Sequence, residues 1–150
     1  MTGMRNATRA TEASRKSLLL FVFVPVVLGL SLVLYQTRHA AGAISAREAY
    51  ERMVKDSTVI LLDVRTPAEF TGESGHLRGA RLIPIEDLAR RTGELDGVKN
   101  RLIIAYCRSG RRSRNAATLL GEKGFRVVNL EGGILAWTEE GLPVEMEGRR

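Results

Sequence analysis

Apolar positions in this chain fall into short runs divided by polar, glycine-containing breaks, and one long uncharged run stands apart near the start. Residues 59–64 are almost continuously apolar, which predicts a strand buried on both faces. Residues 80–83, 102–106 and 125–130 read as further strands of four to six residues. Between them lie helical stretches. Ser45 followed by Glu48 reads as a capping box opening a helix that runs to about Lys55, before a break at 56–58. Pro67 suits the first turn of a short helix through Phe70. Gly72, Gly75 and Gly79 mark a loop, and residues 85–91 and 113–122 read as helices. Gly132 and Gly133 lead into a helix through Trp137, with Gly141 placed to end it and Pro143 two residues on. Helices alternating with short buried strands predict an α/β fold, a mostly parallel sheet with helices on both faces. Ligands of such sheets bind outside the carboxyl ends of the strands.

The long run, residues 18–35, holds 18 residues without a charge. At ~1.5 Å per residue it would span roughly 27 Å as a helix, close to a ~30 Å hydrocarbon core. Pro25, Gly29 and Ser31 interrupt it, and membrane helices tolerate such residues. Arg5, Arg9, Arg15 and Lys16 precede it against a single Glu12. This asymmetry predicts a single-pass anchor with residues 1–17 in the cytoplasm and everything after a 36–43 linker outside it, in the periplasm for an inner membrane. The alternative is a secretory signal cleaved after Ala41-Gly42-Ala43. The apolar run is long for a signal, and the cleavage site lies well beyond its end, so an uncleaved anchor is favoured. A buried core helix is the weakest reading, because the rest of the chain is too small to hide a helix apolar all round.

Net charge changes little after this. Of the formal +6, residues 1–43 carry a net +4 and residues 44–150 a net +2. The basic balance therefore belongs largely to the topology signal and does not call for nucleic acid. The one dense basic cluster, Arg108, Arg111, Arg112 and Arg114, has no interleaved aromatics and suits a small anion better than a polynucleotide.

That cluster surrounds the only cysteine, Cys107. The thiol follows a strand, precedes a helix and is flanked by arginines. Reactive cysteines occur in such electropositive settings, where the thiolate is favoured. Backbone N–H groups at a helix start also receive anions. A single cysteine excludes an internal disulfide, and one cysteine with two distant histidines gives no metal site. No cofactor is called for.

Three separated motifs resemble single-domain rhodaneses, the sulfurtransferase family. The first is Leu62-Asp63-Val64-Arg65-Thr66-Pro67-Ala68-Glu69-Phe70, followed by Gly75-His76-Leu77-Arg78-Gly79-Ala80 and Ile83-Pro84. The second is Tyr106-Cys107-Arg108-Ser109-Gly110-Arg111-Arg112-Ser113. The third is Val128-Asn129-Leu130-Glu131-Gly132-Gly133-Ile134-Leu135-Ala136-Trp137, closing in Gly141-Leu142-Pro143-Val144. The resemblance covers a domain of residues 44–147 and implies a parallel five-stranded sheet flanked by helices. Loop length separates the sulfurtransferases of this superfamily from related phosphatases and arsenate reductases, whose loop is one residue longer. Here the arginine closing the loop is Arg112, at Cys+5, which matches the sulfurtransferase pattern.

The resemblance implies that Cys107 is the nucleophile of a double displacement. It would take a sulfane sulfur from a small anion such as thiosulfate and pass it, as a persulfide, to cyanide, a thiol or a thiol protein. The N–H groups from Arg108 through Ser109, Gly110, Arg111 and Arg112 to Ser113 would hold the sulfur, and Gly110 would let the backbone turn inward. Arg108, Arg111 and Arg112 would hold the donor's anionic end, Arg112 first among them, with a solvated surface role as the alternative for Arg111. Asp63, Arg65 and Glu69 are expected to be structural, Asp63 accepting loop N–H bonds and Arg65 pairing with Glu69 four residues on. His76 reads as structural and Trp137 as a core anchor. The rival readings are a membrane-tethered persulfide carrier, a docking module acting on a protein partner, and a phosphatase or arsenate reductase, which the short loop disfavours.

Overall fold

The computed structural model describes residues 42–146. The expected span at 18–35 and most of the expected linker lie outside the described residues. Among the described residues no helix is long and apolar enough to cross a membrane.

The described elements, in chain order, are β1 (Gly42–Ile44), α1 (Ala46–Lys55), β2 (Ile60–Asp63), α2 (Pro67–Thr71), β3 (Arg81–Leu82), α3 (Ile85–Arg91), a 3-10 helix (Thr92–Val98), β4 (Leu102–Tyr106), α4 (Arg111–Glu122), β5 (Arg126–Leu130) and α5 (Gly133–Glu139). The five strands form one parallel sheet in the order β1-β5-β4-β2-β3. The expected α/β architecture is present, with three local corrections. The linker ends earlier than expected, because Gly42 and Ala43 pair with Val128 and Asn129 as the edge strand β1. Helix α4 begins at Arg111 rather than at residue 113. At α1, Ser45 does accept from the Glu48 N–H at 3.2 Å, but the Glu48 carboxylate turns to Arg52 at 2.8 Å instead of reaching back. The reciprocal capping box belongs to α2, where Thr66 and Glu69 bond each other's backbone N–H and Pro67 fills the first turn.

Side chains alternate across a strand, so successive residues of β4 feed two cores. Ile103, Ala105 and, just past the strand end, Cys107 pack with Leu88 of α3, Leu95 of the 3-10 helix and Ala116, Ala117 and Leu120 of α4. Ile104 and Tyr106 point the other way, to Ala49 of α1 and Ile134 and Trp137 of α5. Burying each large aliphatic side chain stabilises the fold by about 1.5–3 kcal/mol. Trp137 is buried, meets Tyr50 edge-on at 5.9 Å, and donates its indole N–H to Pro143 O at 2.9 Å. The consequence for the site is positional: the central strand β4 delivers Cys107 to the carboxyl edge of the sheet, between the N-termini of α4 and α5.

Candidate active site

Gly110 holds the turn after Cys107 in a left-handed conformation, φ +86°, which an L side chain rarely adopts. Helix α4 starts immediately afterwards, and no side chain caps it. The Cys107 sulfur occupies that place instead. It accepts the Gly110 N–H at 3.2 Å and lies 3.5 Å from the Ser113 hydroxyl. An anion here also feels the positive end of a 12-residue helix.

Helix α5 fixes the other side of the loop. The N–H of Ile134 binds Cys107 O at 2.9 Å, and that of Leu135 binds Arg108 O at 3.2 Å. With these carbonyls held outward, the loop's N–H groups are left to face the sulfur. The contact requires glycine at 133. A Cβ there would overlap Cys107 O and lie 2.7 Å from both the carbonyl carbon and oxygen of Arg108. Gly133→Ala is therefore expected to push the loop off α5. Since misplacing reacting groups by about 1 Å can cost ~100-fold in rate, the loss should fall on kcat with the sheet still folded. Steady-state kinetics beside a circular-dichroism spectrum checks this; unchanged kcat would refute it.

Burial pushes the Cys107 thiol up, but the Ser113 hydroxyl and the N–H groups of Ser113, Ser109 and Gly110 outweigh it and hold the thiol below its ordinary value. The residue is only 1% exposed, so the thiolate is a sheltered one. Above it opens a cavity of about 370 Å³ lined by Cys107, Arg108, Ser109, Arg111 and Arg112. Arg108 and Arg111 are exposed, whereas Arg112 is partly buried and forks onto Glu69 of α2 at 2.6 and 2.8 Å. The expected leading role of Arg112 toward an anion is thus shared with an ion pair tying α2 to α4.

The fork from Arg112, with burial opposing and the Thr66 N–H and hydroxyl assisting, holds the Glu69 carboxyl at about 2, against an ordinary 4.5. A depressed folded value contributes stability that is complete above pH 4.5 and lost as the pH falls toward 2. Glu69→Gln is expected to flatten thermal stability against pH in that window. Profiles of identical slope would contradict the assignment.

Arg65 does not pair with Glu69. Its guanidinium grips Asp63, Nε at 2.9 and 3.0 Å and Nη2 at 2.6 Å, and reaches Ser74 Oγ at 2.9 Å and Gly75 O at 2.7 Å. Asp63 also accepts the Arg65 N–H at 2.9 Å, as expected of it. Both side chains are buried, so the pair staples the 74–77 loop to the end of β2. His76 stacks on Phe70 at 3.8 Å, places Nδ1 3.2 Å from Phe70 O, and is not among the cavity residues.

Two features of the site are not singled out by the sequence alone. One is the Thr66–Glu69 box, which aims Glu69 at Arg112; the T-x-x-E spacing was its visible signal. The other is Asn129, whose Oδ1 accepts the Ser113 hydroxyl at 2.7 Å. A polar residue two positions after Val127, on the same face of β5, was the signal there.

The profile described as Rhodanese-like domain matches residues 35–140. The chain belongs to the rhodanese-like family. A protein of Allochromatium vinosum named Sulfurtransferase is 38% identical over 102 residues, 67% of this chain and 92% of that one. Among solved structures, a rhodanese-related protein of Thermoplasma volcanium aligns with a TM-score of 0.64 at 33% identity, covering 71% of this chain and 99% of that one. A rhodanese-like domain protein of Staphylococcus aureus aligns at 0.60 and 30%, covering 69% and 98%. The residues matched by the family profile, 35–140, include the cysteine loop.

Proposed function

We propose that this protein is a sulfurtransferase that carries a sulfane sulfur on Cys107. The observation that carries the reading is the sulfur itself, acting as the cap of α4 at the floor of an arginine-lined cavity. The Cys107 thiolate attacks the outer sulfur of thiosulfate. A bond forms between the two sulfurs, the S–S bond of thiosulfate breaks, and sulfite leaves with its electron pair. The charge then rests on the outer sulfur of the Cys107 persulfide, where the loop N–H groups and the α4 N-terminus stabilise it without reorganising. Cyanide or a thiolate acceptor takes that sulfur and returns Cys107 to the thiolate.

Arg108 and Arg111 bind the donor's sulfonate end, because among the described residues neither is committed to a carboxylate as Arg112 is. Ser109, Gly110 and Ser113 hold the reacting sulfur, while Asp63, Arg65 and Glu69 hold the surrounding loops. Two half-reactions sharing one site give parallel double-reciprocal lines when thiosulfate and cyanide are varied. Intersecting lines would mean both substrates bind together and would defeat the double displacement.

The same reading makes residues 18–35 an uncleaved anchor, with the N-terminus cytoplasmic and the domain outside. The uncharged run and the four basic residues before it support this. The full chain is expected in the membrane fraction after alkaline carbonate washing, with the domain open to protease added outside spheroplasts. Release by carbonate, or protection from protease, would contradict it.

A further inference from the structure

Ser113 has one hydroxyl hydrogen and two neighbours that want it. Asn129 Oδ1 lies at 2.7 Å and Cys107 Sγ at 3.5 Å. All three residues are buried, so water does not relieve the competition. When Oδ1 faces Ser113, the hydrogen goes to Asn129. Asn129 Nδ2 is then the only buried side-chain nitrogen or oxygen among the described residues without a hydrogen-bond partner. A half-turn of the amide exchanges its oxygen and nitrogen in place. Nδ2 then donates to Ser113 Oγ, and the hydroxyl hydrogen is free for the sulfur.

A neutral thiol has little use for that hydrogen, whereas a buried anionic sulfur needs every donor it can reach. The two amide orientations therefore match the two charge states of the sulfur. Asn129 is also well placed to sense the loop, because a Cβ at Gly110 would stand 3.7 Å from its Nδ2. Sheet register sets it beside Ala105, two residues before the cysteine.

We infer that Asn129 is a positioning residue, directing the Ser113 hydroxyl onto the Cys107 sulfur when that sulfur is anionic by turning its amide N–H toward Ser113. Its meaning for catalysis rests on the sulfur-transfer reading, but its test reads the thiol directly. The charged groups facing the sulfur are Arg108, Arg111 and Arg112, with Glu69 behind Arg112, and all stay constant across the variants below.

The experiment is the pH dependence of iodoacetamide alkylation of the full-length chain in detergent, where Cys107 is the only thiol. Asn129→Asp accepts but does not donate, and keeps the hydroxyl from the sulfur. It is expected to weaken thiol ionisation about tenfold or more, the scale of one hydrogen bond to a charged group, and Ser113→Ala should do the same. Asn129→Leu removes the competing acceptor and should shift the midpoint far less. Asn129→Asp placed in a Ser113→Ala background should add little. An Asp variant that titrates like the wild type would overturn the inference, as would a shift that persists undiminished without the Ser113 hydroxyl, which would mean charge acting directly. Should the Asp variant not fold, the side-chain amide resonances of Asn129 in the ¹⁵N-labelled wild type decide. They must move when the thiol ionises, and resonances that stay fixed sink the idea. A shifted alkylation midpoint without any sulfur uptake from thiosulfate would defeat thiosulfate as the donor and leave this inference standing.

Discussion

Replacement of Cys107 by serine is expected to abolish sulfur transfer from thiosulfate to cyanide while leaving the domain folded. The loss should be complete because no other residue of the chain offers a thiol. The fold should survive because the site is a hydrogen-bonded pocket that a hydroxyl also suits: the Gly110 N–H that reaches Sγ at 3.2 Å has an oxygen to meet instead. The net cost of such an exchange is about 1 kcal/mol. Thiocyanate formation and thermal unfolding, measured on the same preparation, separate the two effects. Turnover by the serine variant at anything near the wild-type rate would remove Cys107 from the reaction.

Arg65→Ala is expected to have the largest effect on stability. It strips the fully buried Asp63 carboxylate of its charged partner, leaving the residue-65 N–H and the neighbouring Tyr106 hydroxyl beside it. Breaking one side of a buried ion pair costs about 3–5 kcal/mol. Against a typical domain stability of ~5–15 kcal/mol, that is a large fraction. Arg65→Lys should recover little, since Nε and Nη2 together fork onto Asp63 while Nη1 holds Ser74 and Nη2 also holds Gly75. Asp63→Ala combined with Arg65→Ala should cost less than the sum of the two, because neither charge is then left alone. Urea unfolding of the four proteins measures the coupling; an Arg65→Ala variant within about 1 kcal/mol of the wild type would contradict a buried pair.

The positions of these groups were unevenly legible in the sequence. Buried parallel strands are continuous apolar runs, so β2, β4 and β5 stood out, and with them the placement of Cys107 at a strand end. The edge strand β1 did not, because Gly42, Ala43 and Ile44 carry no pattern of their own and become a strand only beside β5. The Arg65–Glu69 expectation failed for a local reason. Spacing by four brings side chains together only inside a helix, and Arg65 precedes Thr66, the N-cap of α2. Freed from that register, Arg65 folds back on Asp63 and Glu69 turns outward to Arg112. Helix α4 starts two residues early because the turn at Gly110 already delivers a helical backbone at Arg111, and the sulfur supplies the missing cap. Asn129 was visible as a polar residue on a buried face, but its partner Ser113 lies 16 positions away and only the packing of α4 on β5 joins them.

The most direct test of the central claim is intact-mass spectrometry of the reduced full-length chain after exposure to thiosulfate, with cyanide added afterwards. The account predicts one added sulfur on the wild type, none on Cys107→Ser, and its complete discharge as thiocyanate. A folded, reduced wild-type protein that takes up no sulfur would contradict thiosulfate as donor and shift the weight to a carrier or docking role with a protein partner.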